Sequence, residues 1–172
     1  ATVTVDVYAT RNGEKSEVNL GFRITDSAHA PEVTIGQKDT GSKNVRLKTA
    51  SQTAILEAVV VNQDAILHTN DGDGITFEWR KANADYNEDG SVSDKFVISN
   101  DDLIVDTDNC ITIEGNKCLI AFRPDHITLQ NGELAGQGFY YCIAKNTVNG
   151  SEAVNDITNF TVDDCISITV AG

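Results

Sequence analysis

The sequence has no CxxC pair among its 4 cysteines, so zinc ribbons and thioredoxin-type redox motifs are excluded. An even cysteine count (Cys110, Cys118, Cys142, Cys165) permits disulfides without proving an oxidising compartment. Methionine is absent and the chain begins at Ala1, which fits a processed start, and there is no basic-plus-apolar leader. No apolar run approaches the ~20 residues that a membrane-spanning helix needs. Internal repeats and low-complexity tracts are also missing. Positive charge is scarce: 13 Lys and Arg stand against 26 Asp and Glu, for a net charge of −13. Such a chain repels phosphate backbones and anionic lipid, so neither nucleic acid nor membrane insertion is expected. Solubility at high local concentration is the plain consequence. Affinity for cations or basic surfaces is the sharper one.

Signatures of catalysis are missing as well. His29, His68 and His126 are scattered, with no HExxH or triad context. No GxSxG, P-loop or dinucleotide fingerprint occurs. The acidic pairs Asp71/Asp73, Asp101/Asp102 and Asp163/Asp164 are of a kind that can flank a sugar, but on loops they read as solvated turn residues. Nothing supplies a tuned base beside a nucleophile, so no enzymatic activity is expected.

What is present is alternation. Val3, Val5 and Val7 alternate with polar residues, as do Val18, Leu20, Phe22 and Ile24. Asn12-Gly13, the strongest short hairpin signal, lies between the two runs. Folding the chain there pairs Val7 with Val18, Val5 with Leu20 and Val3 with Phe22, all on one face. A lone hairpin is not stable in water, so this face needs cover from the main domain or another chain. Residues 1–30 therefore read as an arm or anchor, and residues 31–172 as the main domain, joined through "DSAHAPE" (Asp26 to Glu32).

Strand-like runs follow at Val33–Ile35, Val45–Leu47, Ala54–Val61, Ile75–Arg80, Phe96–Ile98, Leu103–Val105, Ile111–Ile113, Cys118–Phe122, Ile127–Leu129, Phe139–Ala144 and Ile166–Val170. Turn residues separate them and no helical period competes, so the fold class is all-β, a sandwich or barrel. Cys110 and Cys118 flank "ITIEGNK" symmetrically about Glu114. That symmetry predicts facing positions on a short hairpin, close enough to bridge on oxidation.

One stretch resembles the E–F region of immunoglobulin-like domains: "ITLQNGELAGQGFYYCIAKN", Ile127 to Asn146. Gly138, Tyr140, Cys142, Ala144 and Asn146 follow that family's strand F pattern. Tyr140 stands two residues before the cysteine, where the family places its tyrosine corner. Ile127 and Leu129 sit where strand E gives two core residues. Trp79 in "ITFEWRK" matches the buried tryptophan of strand C, and "CISITV" a closing strand G. The family's strand B cysteine has no counterpart, because "TAILEAVVV" offers alanines, so the signature inter-sheet disulfide cannot form with Cys142. The long span from Trp79 to Cys142 implies insertions. The resemblance implies an immunoglobulin-like antiparallel β-sandwich with an N-terminal hairpin arm, and a Cys142 buried near Trp79.

Domains of this kind look similar to those displayed on tailed-phage virions. That likeness implies a non-enzymatic decoration protein of a bacteriophage head or tail, assembled in the host cytoplasm and anchored through the hairpin. Its partners would be capsid or tail proteins, with host-surface glycans and further copies of the chain beside them. The alternative is a secreted bacterial cell-surface adhesion or glycan-binding module. The sequons at Asn149 and Asn159 matter only in a chain secreted by a eukaryote.

"ADYNEDGSVSDKF" (Ala84 to Phe96) raises the question of calcium. Asp85, Asn87, Asp89 and Gly90 match positions 1, 3, 5 and 6 of an EF loop. Position 12, which needs a bidentate acid, is Phe96. Asn, Asp and Gly are also what a tight turn after strand C requires. The expectation is a solvent-exposed turn with no bound cofactor, Ca2+ being the candidate ion if there is one.

Overall fold

The computed structural model describes residues 2–23, 27–66, 74–90 and 92–172. Strands β1 (Thr2–Arg11) and β2 (Glu14–Arg23) form an antiparallel ribbon. Asn12 and Gly13 have φ of 52° and 81°. Two left-handed residues in succession make a type I′ turn, whose twist matches that of the strands it joins. The register pairs Val3 with Phe22, Val5 with Leu20 and Val7 with Val18, as the turn dipeptide predicts. Ile24 lies outside the described residues. Among the described residues, β1 and β2 pair only with each other.

The main body continues with β3 (Val33–Gln37), β4 (Asn44–Leu47), β5 (Ala54–Val60) and a single helical turn α1 (Gln63–Ile66). Then come β6 (Gly74–Lys81), the hairpin β7 (Asn83–Tyr86) and β8 (Val92–Val97), and a second hairpin, β9 (Ile111–Glu114) and β10 (Lys117–Phe122). The long β11 (Gly138–Val148), β12 (Ser151–Val154) and β13 (Ile166–Val170) complete the chain. The 4-stranded sheet has the order β3-β5-β10-β9. The 5-stranded sheet is built on β11, which pairs β6 along one edge and both β12 and β13 along the other, with β4 beside β13. This is a mostly β, two-sheet protein of sandwich type. One pair departs from the expected antiparallel arrangement: β4 runs parallel to β13.

Period-two alternation decides what is buried. Along β5, Ala54, Leu56, Ala58 and Val60 are inside; along β10, Cys118, Ile120 and Phe122 are. The 5-stranded sheet contributes Trp79, Tyr140, Cys142, Ile166 and Ile168 to the same core. Each large aliphatic or aromatic side chain buried this fully contributes ~1.5–3 kcal/mol.

Two expectations are corrected. Ile127–Leu129 and Leu103–Val105 are not strands; they touch the fold through isolated bridges, Ile104 to Leu129 and Arg80 to Leu103. The strand beside β5 is β10, and Ile127 and Leu129 are core residues of the connection after it. Cys110 and Cys118 do not face each other. The turn falls at Gly115-Asn116, so Cys118 opposes Ile113, while the Cys110 carbonyl accepts from Ala121 N at 2.9 Å. A three-residue offset along a strand is ~10 Å, beyond the ~7 Å a disulfide tolerates. All 4 cysteines are free thiols.

Candidate functional site

The residues that join the ribbon to the body are held by side chains from three places. Ser151 Oγ on β12 accepts from Ala28 N at 3.3 Å. Asn146 on β11 donates from Nδ2 to the His29 carbonyl at 3.0 Å. Asn62, just after β5, donates to the Ala30 carbonyl at 3.0 Å and accepts from Glu32 N at 2.8 Å. Pro31 is buried between these contacts. The root of the arm is thus fixed to one end of the sandwich, beside the β11–β12 turn. Asn146 is visible in the sequence as part of the strand F pattern, but its bond to the arm is not, and Asn62 and Ser151 carry no periodic signal.

The residues singled out for the core come together. Trp79, Tyr140, Cys142, Ile127 and Leu129 are all buried in one cluster. Trp79 and Cys142 are direct cross-strand partners on β6 and β11. The Tyr140 hydroxyl lies 2.7 Å from both the Ala135 and Gly136 carbonyls, and its ring meets Phe122 edge-on at 4.6 Å. Burial pushes Cys142 well up and Cys165 up to about 12, and raises Cys110 and Cys118 as well. Protonated, buried thiols are poor nucleophiles and poor metal ligands.

The outer face of the 5-stranded sheet is covered in part. Tyr141 alternates away from the core yet is fully buried, because the Phe96 ring lies 4.6 Å from its own. Burial moves its phenol up to about 12. Arg80, beside Tyr141, binds Glu78 Oε2 from Nη2 at 2.8 Å and the Ser99 carbonyl from Nη1. The hairpin inserted after β6 is thereby stitched to the sheet.

The calcium candidates lie on that hairpin. Asp85 is on β7, and Asn87 and Asp89 are in the turn, where Gly90 has φ 81° and donates to the Asn87 carbonyl at 2.9 Å. Among the described residues no three His, Cys, Asp or Glu side chains are grouped to hold a metal ion. Asp163 and Asp164 serve a capping turn instead: Asp164 Oδ2 accepts from Thr161 N at 2.9 Å. His126 pairs with Asp108 at 2.8 Å on the exposed surface. Asp71, Asp73 and His68 lie outside the described residues.

Between β12 and β13 the edge of β11 is unpaired by strand, and Asn155 fills the gap. Its Oδ1 accepts from Ala144 N at 2.9 Å and its Nδ2 donates to the Cys142 carbonyl at 3.2 Å. Alongside runs a cleft of about 260 Å³ lined by Val33, Ile35, Lys43, Asn155, Phe160 and Asp164. Its charged groups are Lys43 and Asp164, beside the polar Thr34 and Asn155.

Comparison with family models, curated proteins and solved structures yields no significant match to this chain.

Proposed function

We propose that the chain is a non-enzymatic display module: an immunoglobulin-like sandwich attached to a larger particle by its N-terminal hairpin, the particle being a tailed-phage virion. The observation that carries this reading is the ribbon itself. It has strands of 10 residues, pairs with no other strand among the described residues, and leaves from a root clamped by Asn62, Asn146 and Ser151. A two-stranded ribbon of alternating apolar character does not stand alone in water. An open strand edge is a common means of joining another chain.

The immunoglobulin-like reading draws on strand order. The order β3-β5-β10-β9 parallels the family's ABED sheet, and β6, β11 and β13 parallel CFG. The Trp79–Cys142 pairing and the Tyr140 hydroxyl contacts support it further. Free thiols support folding and assembly in a reducing compartment. Imaging the native particle that contains this chain is the test. The expected density is a sandwich-sized knob whose hairpin merges into a strand-bearing protein of the shell or tail. A knob held through its sandwich faces, with the hairpin pointing into solvent, overturns the reading.

A further inference from the structure

The two edges of the ribbon are not equivalent. A two-residue type I′ turn makes Arg11 and Glu14 the first hydrogen-bonded pair, and bonded pairs then recur every second residue. The backbone groups of Ser16, Val18, Leu20 and Phe22 therefore face β1. Those of Lys15, Glu17, Asn19, Gly21 and Arg23 face the free edge of β2. On β1 the free-edge positions are Thr2, Thr4, Asp6, Tyr8 and Thr10.

We propose that two copies of the chain associate through the free edges of β2, antiparallel about a twofold axis at Leu20. This rests on the attachment reading of the hairpin and names a second copy as its first partner. Charge selects the register. Centred on Leu20, Glu17 stands opposite the partner's Arg23, and by symmetry the pair occurs twice. Centring on Asn19 sets Lys15 opposite the partner's Arg23, a like-charge pair that destabilises a sheet. Centring on Val18 or Gly21 makes no pair of opposite charges. The β1 edge carries only Asp6, so it offers no ion pair, and centring it there opposes two carboxylates. The arm is nearly balanced in a chain of net charge −13: Arg11, Lys15 and Arg23 stand against Asp6, Glu14, Glu17 and Asp26.

Face parity agrees. In the Leu20 register Val18 lies opposite the partner's Phe22, and Leu20 opposite the partner's Leu20. The apolar positions of both ribbons then share one side of a four-stranded sheet. The open edge of the chain's own β3 does not match. Gln37 N bonds Ser42 O and Lys38 N bonds Ile55 O, so Val33 and Ile35 direct their backbone groups to the free edge. These two residues pack toward the core. Antiparallel addition there would bring the Glu17 and Asn19 face of the arm to the core side.

Sedimentation velocity on the full-length chain, over a range of concentrations, is the test. The wild type is expected to dimerise. Glu17→Arg and Arg23→Glu are each expected to weaken the dimer by at least roughly tenfold, since each turns two cross-strand pairs like-charged. The double variant restores it. Leu20→Cys with oxidised glutathione gives a covalent dimer, and Asn19→Cys, opposite the partner's Gly21, does not. A monomeric wild type, a dimer indifferent to both single swaps, or open filaments from β1-to-β2 addition overturns the proposal. A monomer that still needs its hairpin to enter the particle overturns the dimer alone and leaves the attachment reading standing.

Discussion

The Tyr140 hydroxyl reaches the Ala135 carbonyl at 2.7 Å, five residues back along the chain, from inside the core. The ring is fully buried, so the contact locks the 123–137 connection to the start of β11. Tyr140→Phe removes the donor to both carbonyls; Lys81 Nζ still donates to Ala135 O, so the Gly136 carbonyl bears the loss. The expected loss is about 1–3 kcal/mol, read from urea denaturation. An unchanged midpoint shows the corner to be ornamental.

Gly138 sits two residues earlier with φ 154°, a region side chains avoid, and an added Cβ would come within 2.7 Å of Lys81 Cε. The lysine end can move; the backbone cannot. Gly138→Ala is expected to cost about 1–3 kcal/mol through the strained dihedral. A thermal melt of the variant checks this, and a Tm equal to wild type contradicts it.

Asn155 stands in for a strand where β11 has none. Asn155→Ala leaves Ala144 N and the Cys142 carbonyl without these partners. Destabilisation of about 1–3 kcal/mol is expected, with faster hydrogen exchange at Ala144 N–H. Exchange unchanged at that amide means the gap is filled in another way.

Alkaline pH should unfold the protein early. Cys165 and Tyr141 are each raised to about 12, and Cys142 and Cys118 are raised as well, first of all by burial. An acid with a higher pKa in the folded state keeps its proton there after the unfolded chain has lost it. Its contribution is therefore complete below the ordinary thiol value of 9.0 and shrinks as pH climbs toward about 12. Urea midpoints between about pH 7 and about pH 11 should fall steadily above about pH 9. A flat profile means these groups are not buried in solution.

The parts legible in the sequence are those governed by local rules. Asn12-Gly13 demands one turn type, and that turn dictates the pairing of Val7 with Val18. The burial of Trp79 and Cys142 follows from the immunoglobulin-like pattern and not from period, since the run around Cys142 is apolar in both phases and Tyr141 is buried too. The second hairpin is not legible in the spacing: Cys110 and Cys118 are symmetric about Glu114, whereas the turn takes the left-handed Gly115 with Asn116, which shifts the register by three residues. Ile127 and Leu129 alternate like a strand but bury themselves in a connection, since β10 already occupies the place beside β5. Asn62 and Asn146 bond to residues 32 and 117 positions away, and Asn155 fills a gap in strand pairing, none of which a local pattern announces.

The central claim is that the hairpin serves attachment and not the stability of the sandwich. Incorporation of the chain lacking residues 1–26 into the native particle, compared with full length and run beside a thermal melt, tests it most directly. The account predicts a truncated chain that is folded and soluble with a Tm close to full length, yet is not incorporated. A truncated chain that enters the particle normally, or one whose Tm collapses, makes the hairpin part of the fold and contradicts the claim.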